Sequence, residues 1–164
     1  MEFLSGNQAI VKAAVNAGAR FYSGYPITPA SEIMEEWGAL AQKTNELQFL
    51  QSEDELAAIH QALGAAISGV PAFTATSGPG LSLMQEGLGL AFAYRAPLVV
   101  INVMRSGPST GAPTYAGQGE ILASRYGTHG DVYPFVFYPT SVQECYDYTI
   151  KAFEISWKHE IPVI

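Results

Sequence analysis

Cysteine and charge are what this chain has least of. One cysteine, Cys145, stands among 164 residues, so the chain alone can build neither an internal disulfide nor an iron–sulfur cluster. Charged residues make up 14% of it, against a usual share of about 25%. A surface so poor in charge is expected to be covered in part by other subunits. Lysine and arginine together number 8 and the acids 15, giving a net charge of −7; without a basic cluster, that balance excludes a nucleic-acid surface. No apolar run approaches ~18 residues, so no membrane-spanning helix is expected. The opening MEFLSGNQAI lacks the positive start and long apolar core of a secretory leader. A cytoplasmic protein is the expectation. No GK[ST], HExxH, CxxC or GDG occurs, and His60, His129 and His159 show no metal-ligand spacing. No metal site is expected on this chain.

What is present is an alternation. Ala9, Ile10, Ala13, Ala14 and Ala17 recur at helical spacing before Gly18. Strands are expected over 20–23, 47–51, 71–76, 98–104 and 134–138, and helices over 29–42, 54–68, 80–94, 120–126 and 141–159. The final IPVI starts a further strand. Apolar strands alternating with helices predict an α/β domain, a mostly parallel sheet with helices on both faces. No repeat or linker divides the chain, so 1–164 reads as one domain, a size that buries about 70% of its unfolded surface.

In such a sheet ligands bind beyond the carboxyl ends of the strands. That rule selects GYPITPASE at 24–32, the acidic run SEDE at 52–55, TSGPG at 76–80, and Arg105 with the glycine-rich loop behind it. Ser52 would cap a helix whose first turn carries the acids. The helical wheel separates those acids. Glu55 heads a stripe of Ile59, Ala62, Leu63 and Ala66, whereas Glu53 lies with His60 and Gln61 and Asp54 on a face between. A glutamate heading an apolar stripe is desolvated, which raises its pKa and suits it to sharing a proton. TATSGPGLSL reads as a tight turn that brings a helix close to its neighbour, since Leu83 takes the last glycine place of GxGxxG. Arg105 ends the strongest strand, where a surface ion pair and a carboxylate clamp both suit a guanidinium. GLSLM around Ser82 misses the GxSxG elbow, and Cys145 reads as a packed thiol.

Taken together, YPITPASE, SEDELAAIHQALGAA, TATSGPGLSLMQE and RSGPSTGAPT resemble the pyrimidine-binding domain of the 2-oxoacid:ferredoxin oxidoreductase alpha subunit. The likeness spans essentially the whole chain and is strongest to the members that use 2-oxoglutarate. It implies the thiamine diphosphate-binding fold, pyrimidine type, as the N-terminal part of a longer alpha subunit. It implies that Glu55, nine residues before Gly64, hydrogen-bonds the aminopyrimidine of thiamine diphosphate. Tyr25, Pro26, Thr76 and Ser77 would help to bind that cofactor, and Thr28 and Arg105 would contact the substrate carboxylate. Coenzyme A would take the acyl group. A beta subunit would carry the diphosphate–magnesium site and the cluster that passes electrons to ferredoxin, making a hetero-oligomer. Thr28 would cap the following helix with Pro29 at its first position, leaving the hydroxyl proton for the substrate. Two rivals are a non-oxidative thiamine diphosphate-dependent 2-oxoacid decarboxylase and a non-catalytic assembly module.

Overall fold

Ser5 begins the first helix through a reciprocal pair of hydrogen bonds. Its hydroxyl accepts the Gln8 N–H at 3.2 Å, and the Gln8 side chain accepts the Ser5 N–H at 3.0 Å. In this computed structural model, which describes residues 2–164, that helix is α1 (Gly6–Asn16). It ends at Gly18, whose φ of 90° suits only a residue without a side chain. The chain then alternates through β1 (Phe21–Gly24), α2 (Ser31–Ala41), β2 (Gln48–Gln51), α3 (Glu55–Ile67), β3 (Ala72–Thr76), α4 (Pro79–Ala93) and β4 (Leu98–Asn102). The short α5 (Ile121–Tyr126) and the long α6 (Val142–His159) follow.

The strands form one sheet in the order β2-β1-β3-β4, and every pair is parallel. Side chains alternate across it. Tyr22, Phe73, Ala75 and Val99 pack on one face against Ile10 and Val11 of α1, Ile33 and Trp37 of α2, and Phe153 of α6. Ala72, Leu98 and Val100 pack on the other against Ile59 and Leu63 of α3 and Leu81, Met84 and Leu88 of α4. The expected α/β sandwich, helices on both faces of a parallel sheet, is the architecture observed.

Three expectations are corrected. The strand over 134–138 shrinks to a single bridge between Phe135 and Val163. Pro134 opens that segment and Pro139 follows it, neither with an N–H to give. Val163 also bridges Val99, so the IPVI segment does enter the sheet, between β4 and residue 135. The second correction concerns β4, which stops at Asn102 rather than 104, although the Val103 N–H still reaches the Thr76 carbonyl at 2.9 Å. The third is α2, which starts at Ser31; Ala30, not Thr28, holds its capping position and makes no side-chain cap. Thr28 and Pro29 belong instead to the turn before the helix.

Phe73 sits at the middle of the first face. Its ring lies 4.9 Å from both Tyr22 and Trp37 and 6.0 Å from Phe153, centroid to centroid. Truncating it removes a ring that joins strand and helix neighbours. Phe73→Ala is expected to destabilise the domain by about 3–5 kcal/mol in urea unfolding.

Candidate active site

Because all four strands run in one direction, their carboxyl ends share one edge. From β1 the chain moves outward to β2, then returns across β1 to β3 and proceeds to β4. The order therefore reverses between β1 and β3, the place where parallel sheets open a crevice. The segments that follow β1, β2, β3 and β4 carry Thr28, Glu55 (at the start of α3), Ser77 and Arg105 respectively.

Glu55 is the first residue of α3. The Asp54 carboxylate caps this helix by accepting the Ala57 N–H at 2.7 Å. Ser52, expected as the cap, turns elsewhere: its hydroxyl lies 2.7 Å from that of Ser23 and donates to Gln61 Oε1 at 2.7 Å. With the helix so placed, Glu55 is buried to 5% exposure, as the apolar stripe predicted. Desolvation raises its pKa above the ordinary 4.5, and the neighbouring Asp54 charge adds to the rise. Its own backbone N–H and the Arg105 charge pull the other way but do not prevail.

Thr76 and Ser77, at the end of β3, are fully buried, and both hydroxyl oxygens lack a hydrogen-bond partner. Gly78 turns the chain at a φ of 47°, Pro79 starts α4, and Gly80 lies directly against Thr76 and Glu55. A Cβ on Gly80 would stand 2.6 Å from Glu55 Oε1 and would overlap the Thr76 hydroxyl. The glycine pair is thus the close-packed turn its sequence suggested, and it brings Glu55 and the unpaired Thr76 hydroxyl against the same glycine.

Arg105 departs from the surface ion pair that was one reading of it. It is 5% exposed, and among the described residues no carboxylate lies within 4.0 Å of its guanidinium. Nη1 donates to the Thr28 carbonyl and Nη2 to the Thr110 carbonyl, each at 2.8 Å. Nε is buried without a partner. The structure therefore brings Arg105 and Thr28 together, but through the threonine's main chain; Thr28 itself is exposed. Tyr25 and Pro26 lie exposed on the same loop. Asn7 holds that loop from α1, its amide donating to the Pro29 carbonyl at 3.0 Å.

Glu120 is the residue that sequence reading missed. It was legible only as the start of a short helix. One carboxylate oxygen accepts the Gly78 N–H at 2.7 Å and the other the Arg105 N–H at 2.9 Å. No local pattern marks a contact made across 42 residues. Elsewhere, Cys145 is a half-buried thiol on α6 whose pKa burial pushes up. No group of three or more potential metal ligands occurs among the described residues. Among the same residues no helix is long and apolar enough to cross a membrane.

A parallel sheet here gathers, at the carboxyl ends of its strands, a glutamate of raised pKa, orphaned hydroxyls and an arginine without a carboxylate partner, the kind of grouping that enzyme domains use. Residues 12–164 match the family described as "Pyruvate flavodoxin/ferredoxin oxidoreductase, thiamine diP-bdg", and the chain belongs to that family. It is 49% identical over its whole length to the 2-oxoglutarate synthase subunit KorA of Archaeoglobus fulgidus, covering 47% of that protein. To the subunit of the same name from Methanocaldococcus jannaschii it is 48% identical, covering 99% of this chain and 44% of that one. The chain thus spans about half the length of the curated relatives it matches. Among solved structures, it resembles the 2-oxoglutarate:ferredoxin oxidoreductase from Magnetococcus marinus determined with 2-oxoglutarate, coenzyme A and succinyl-CoA bound. The TM-score is 0.93 at 39% identity, over 98% of this chain and 28% of that one.

The burial of Glu55 makes a prediction about the protein without ligand. Its folded pKa lies above the ordinary 4.5, so above pH 4.5 the native state holds a proton that the unfolded chain releases. Stability then falls as pH rises through the folded value and is whole below 4.5. Glu55→Gln removes that loss. The variant should melt above the wild type at neutral pH, and the two melting curves should converge below pH 4.5.

Proposed function

We propose that this domain supplies the aminopyrimidine half of a thiamine diphosphate site in the alpha subunit of a 2-oxoacid:ferredoxin oxidoreductase, with 2-oxoglutarate as the oxoacid. The observation that carries the proposal is the pairing, at one sheet edge, of a buried glutamate of raised pKa with a buried arginine that has no carboxylate partner. A buried cation without a counter-ion is costly, and a ligand carboxylate would relieve that cost.

The residues fit the aminopyrimidine end of the cofactor. Two buried hydroxyls at the end of β3, Thr76 and Ser77, have unmet hydrogen-bonding capacity, and that of Thr76 meets Glu55 at Gly80. Gly80, lacking a side chain, lets α4 close onto Thr76 and Glu55 and so fixes where the acid stands. In the proposed assignment Glu55 holds its proton at the carboxyl and shares it with a ring nitrogen, the two hydroxyls add polar contacts, and Tyr25 and Pro26 border the ring. When bound, thiamine diphosphate supplies the nucleophilic carbon and the electron sink that decarboxylation needs. Arg105 turns its remaining N–H groups to the substrate carboxylate, and the Thr28 loop forms the opposite wall. A carboxylate between a guanidinium and a turn of fixed shape is oriented as well as bound.

This chain holds one half of the chemistry. The proposed partner is a beta subunit that carries the magnesium-bound diphosphate and the iron–sulfur cluster; it passes electrons one at a time to ferredoxin while coenzyme A takes the acyl group. The domain would stand in a longer alpha subunit of a cytoplasmic hetero-oligomer. That the relatives are named as subunits, and extend to about twice this length, supports the reading. The choice of 2-oxoglutarate rests on the higher identity to 2-oxoglutarate synthase subunits, 49%, than to the ketoisovalerate oxidoreductase subunit of Methanothermobacter thermautotrophicus, 41%.

The test is the complex of the alpha subunit with its partner, assayed for coenzyme-A-dependent reduction of a viologen dye. 2-Oxoglutarate should support turnover in preference to pyruvate. Decarboxylation that neither needs coenzyme A nor reduces the dye would point to the non-oxidative decarboxylase instead. In the active complex Glu55→Gln should lower kcat by about 10²-fold or more, and an undiminished rate would reduce the domain to an assembly module. Arg105→Lys loses the planar fork and should raise KM for the oxoacid more than it lowers kcat.

A further inference from the structure

We propose that Glu120 is a positioning residue that fixes Arg105 in register with the Gly78 turn, so that its removal weakens 2-oxoacid binding without touching the acid that serves the cofactor. This rests on the substrate role proposed above for Arg105.

Glu120 caps nothing by its side chain, although it stands immediately before α5. Its carboxylate spans two loops instead. One oxygen takes the N–H of Gly78, in the loop that leaves β3; the other takes the N–H of Arg105, in the loop that leaves β4. These are charge-assisted bonds at 2.7 and 2.9 Å, the stronger class of backbone contact. A carboxylate gives each of two such donors its own charged oxygen and offers a proton to neither.

What lies between those two N–H groups is the arginine. A Cβ built on Gly78 would stand 3.0 Å from Arg105 Nε and 3.5 Å from its Cγ, so the turn forms the wall on which the side chain rests. From there the guanidinium reaches the carbonyls of Thr28 and Thr110. Arg105 is therefore held at its main chain by Glu120, along its length by Gly78 and at its tip by two carbonyls. Its backbone conformation and its wall answer to the same carboxylate. A shift of that carboxylate moves both together, and misplacing a binding group by about 1 Å can cost on the order of 10²-fold.

Glu120→Gln tests this. Glutamine keeps one acceptor and turns an amide donor toward the second N–H, so one backbone bond is lost at nearly constant shape. In the holoenzyme the expected result is a KM for the 2-oxoacid raised about tenfold or more with kcat changed much less. Thiamine diphosphate affinity should fall much less than oxoacid affinity, because Glu55 stands on α3 and only the Ser77 contact borders the Gly78 turn that Glu120 holds. Amide hydrogen exchange should quicken in the peptides that contain Gly78 or Arg105 and not in those of α3. Gly78→Ala pushes on the same arginine from the other side and should give the same KM signature. If Glu120→Gln does not fold, that variant carries the test. As one unit, the two substitutions together should cost less than the product of their separate effects.

Faster exchange with an unchanged oxoacid KM would overturn the inference, leaving Glu120 a structural tie. Equal loss of cofactor affinity and oxoacid affinity would overturn it too, because Glu120 would then support the whole site. A wild-type complex inert towards every 2-oxoacid would instead overturn the functional reading on which the inference rests, and that outcome is visible before any variant is made.

Discussion

The parallel pairing of β1 with both of its neighbours is the constraint from which the site follows. A strand flanked by β2 on one side and β3 on the other sends its loop out between the two directions the chain takes. Every other strand discharges at the same edge, because parallel strands cannot do otherwise. Loops far apart in sequence are thereby delivered to one edge of the sheet. There they are tied largely through main chain: Arg105 grips two carbonyls, Glu120 two N–H groups, and Asn7 the carbonyl of Pro29. Backbone contacts of this kind fix where loops run, and they leave the side chains at the crevice free for something else.

Local patterns told the truth where burial is decided locally. The wheel placed Glu55 on the apolar stripe of its helix, and there it is buried, because the same stripe that packs Ile59, Ala62 and Leu63 against the sheet carries the glutamate inward. The alternation of apolar runs gave the α/β class and the close turn at Gly80 for similar reasons. Failures fell where two local rules competed. Thr28 has the chemistry of a helix cap, yet Ala30 occupies that place and Thr28 remains in the turn, its carbonyl committed to Arg105. Ser52 likewise lost the capping position to Asp54, which stands nearer the helix start, and found Gln61 instead. The segment at 134–138 has the composition of a strand, but the prolines that open and follow it leave it one bridge. Glu120 was beyond reach altogether, since its partners are 15 and 42 residues away and only the closed sheet brings them near.

Glu55 and Arg105 also place opposite demands on this fold. Burial favours the neutral form of the glutamate, whereas the arginine remains charged however deeply it is buried. The arginine's charge reaches the glutamate and lowers its pKa somewhat, but desolvation and Asp54 outweigh it. Had the two formed a direct ion pair, each would have cancelled the other: the glutamate would keep no proton to share, and the guanidinium would have no capacity left for an anion. Neutral carbonyls from Thr28 and Thr110 hold the arginine without neutralising it. That choice of partners, more than either residue by itself, leaves a carboxyl of raised pKa and a charged guanidinium without a carboxylate partner at one sheet edge.

It follows that the domain by itself is the less comfortable state. Thr76, Ser77 and Arg105 Nε are buried with bonds unmade, and an unsatisfied buried group costs about 1–3 kcal/mol. Such a deficit is tolerable only where the surrounding packing is ample, and the ring of Tyr22, Trp37, Phe73 and Phe153 on the opposite face supplies it. The well-packed face therefore stabilises the under-bonded one. A ligand that completed those bonds would bind partly through relief of what the fold leaves unmet, so affinity and fold stability would be linked. Three of the six buried side-chain atoms with bonds unmade among the described residues, on Thr76, Ser77 and Arg105, belong to residues at or just beyond the carboxyl ends of β3 and β4, where the proposed cofactor and substrate contacts are assigned.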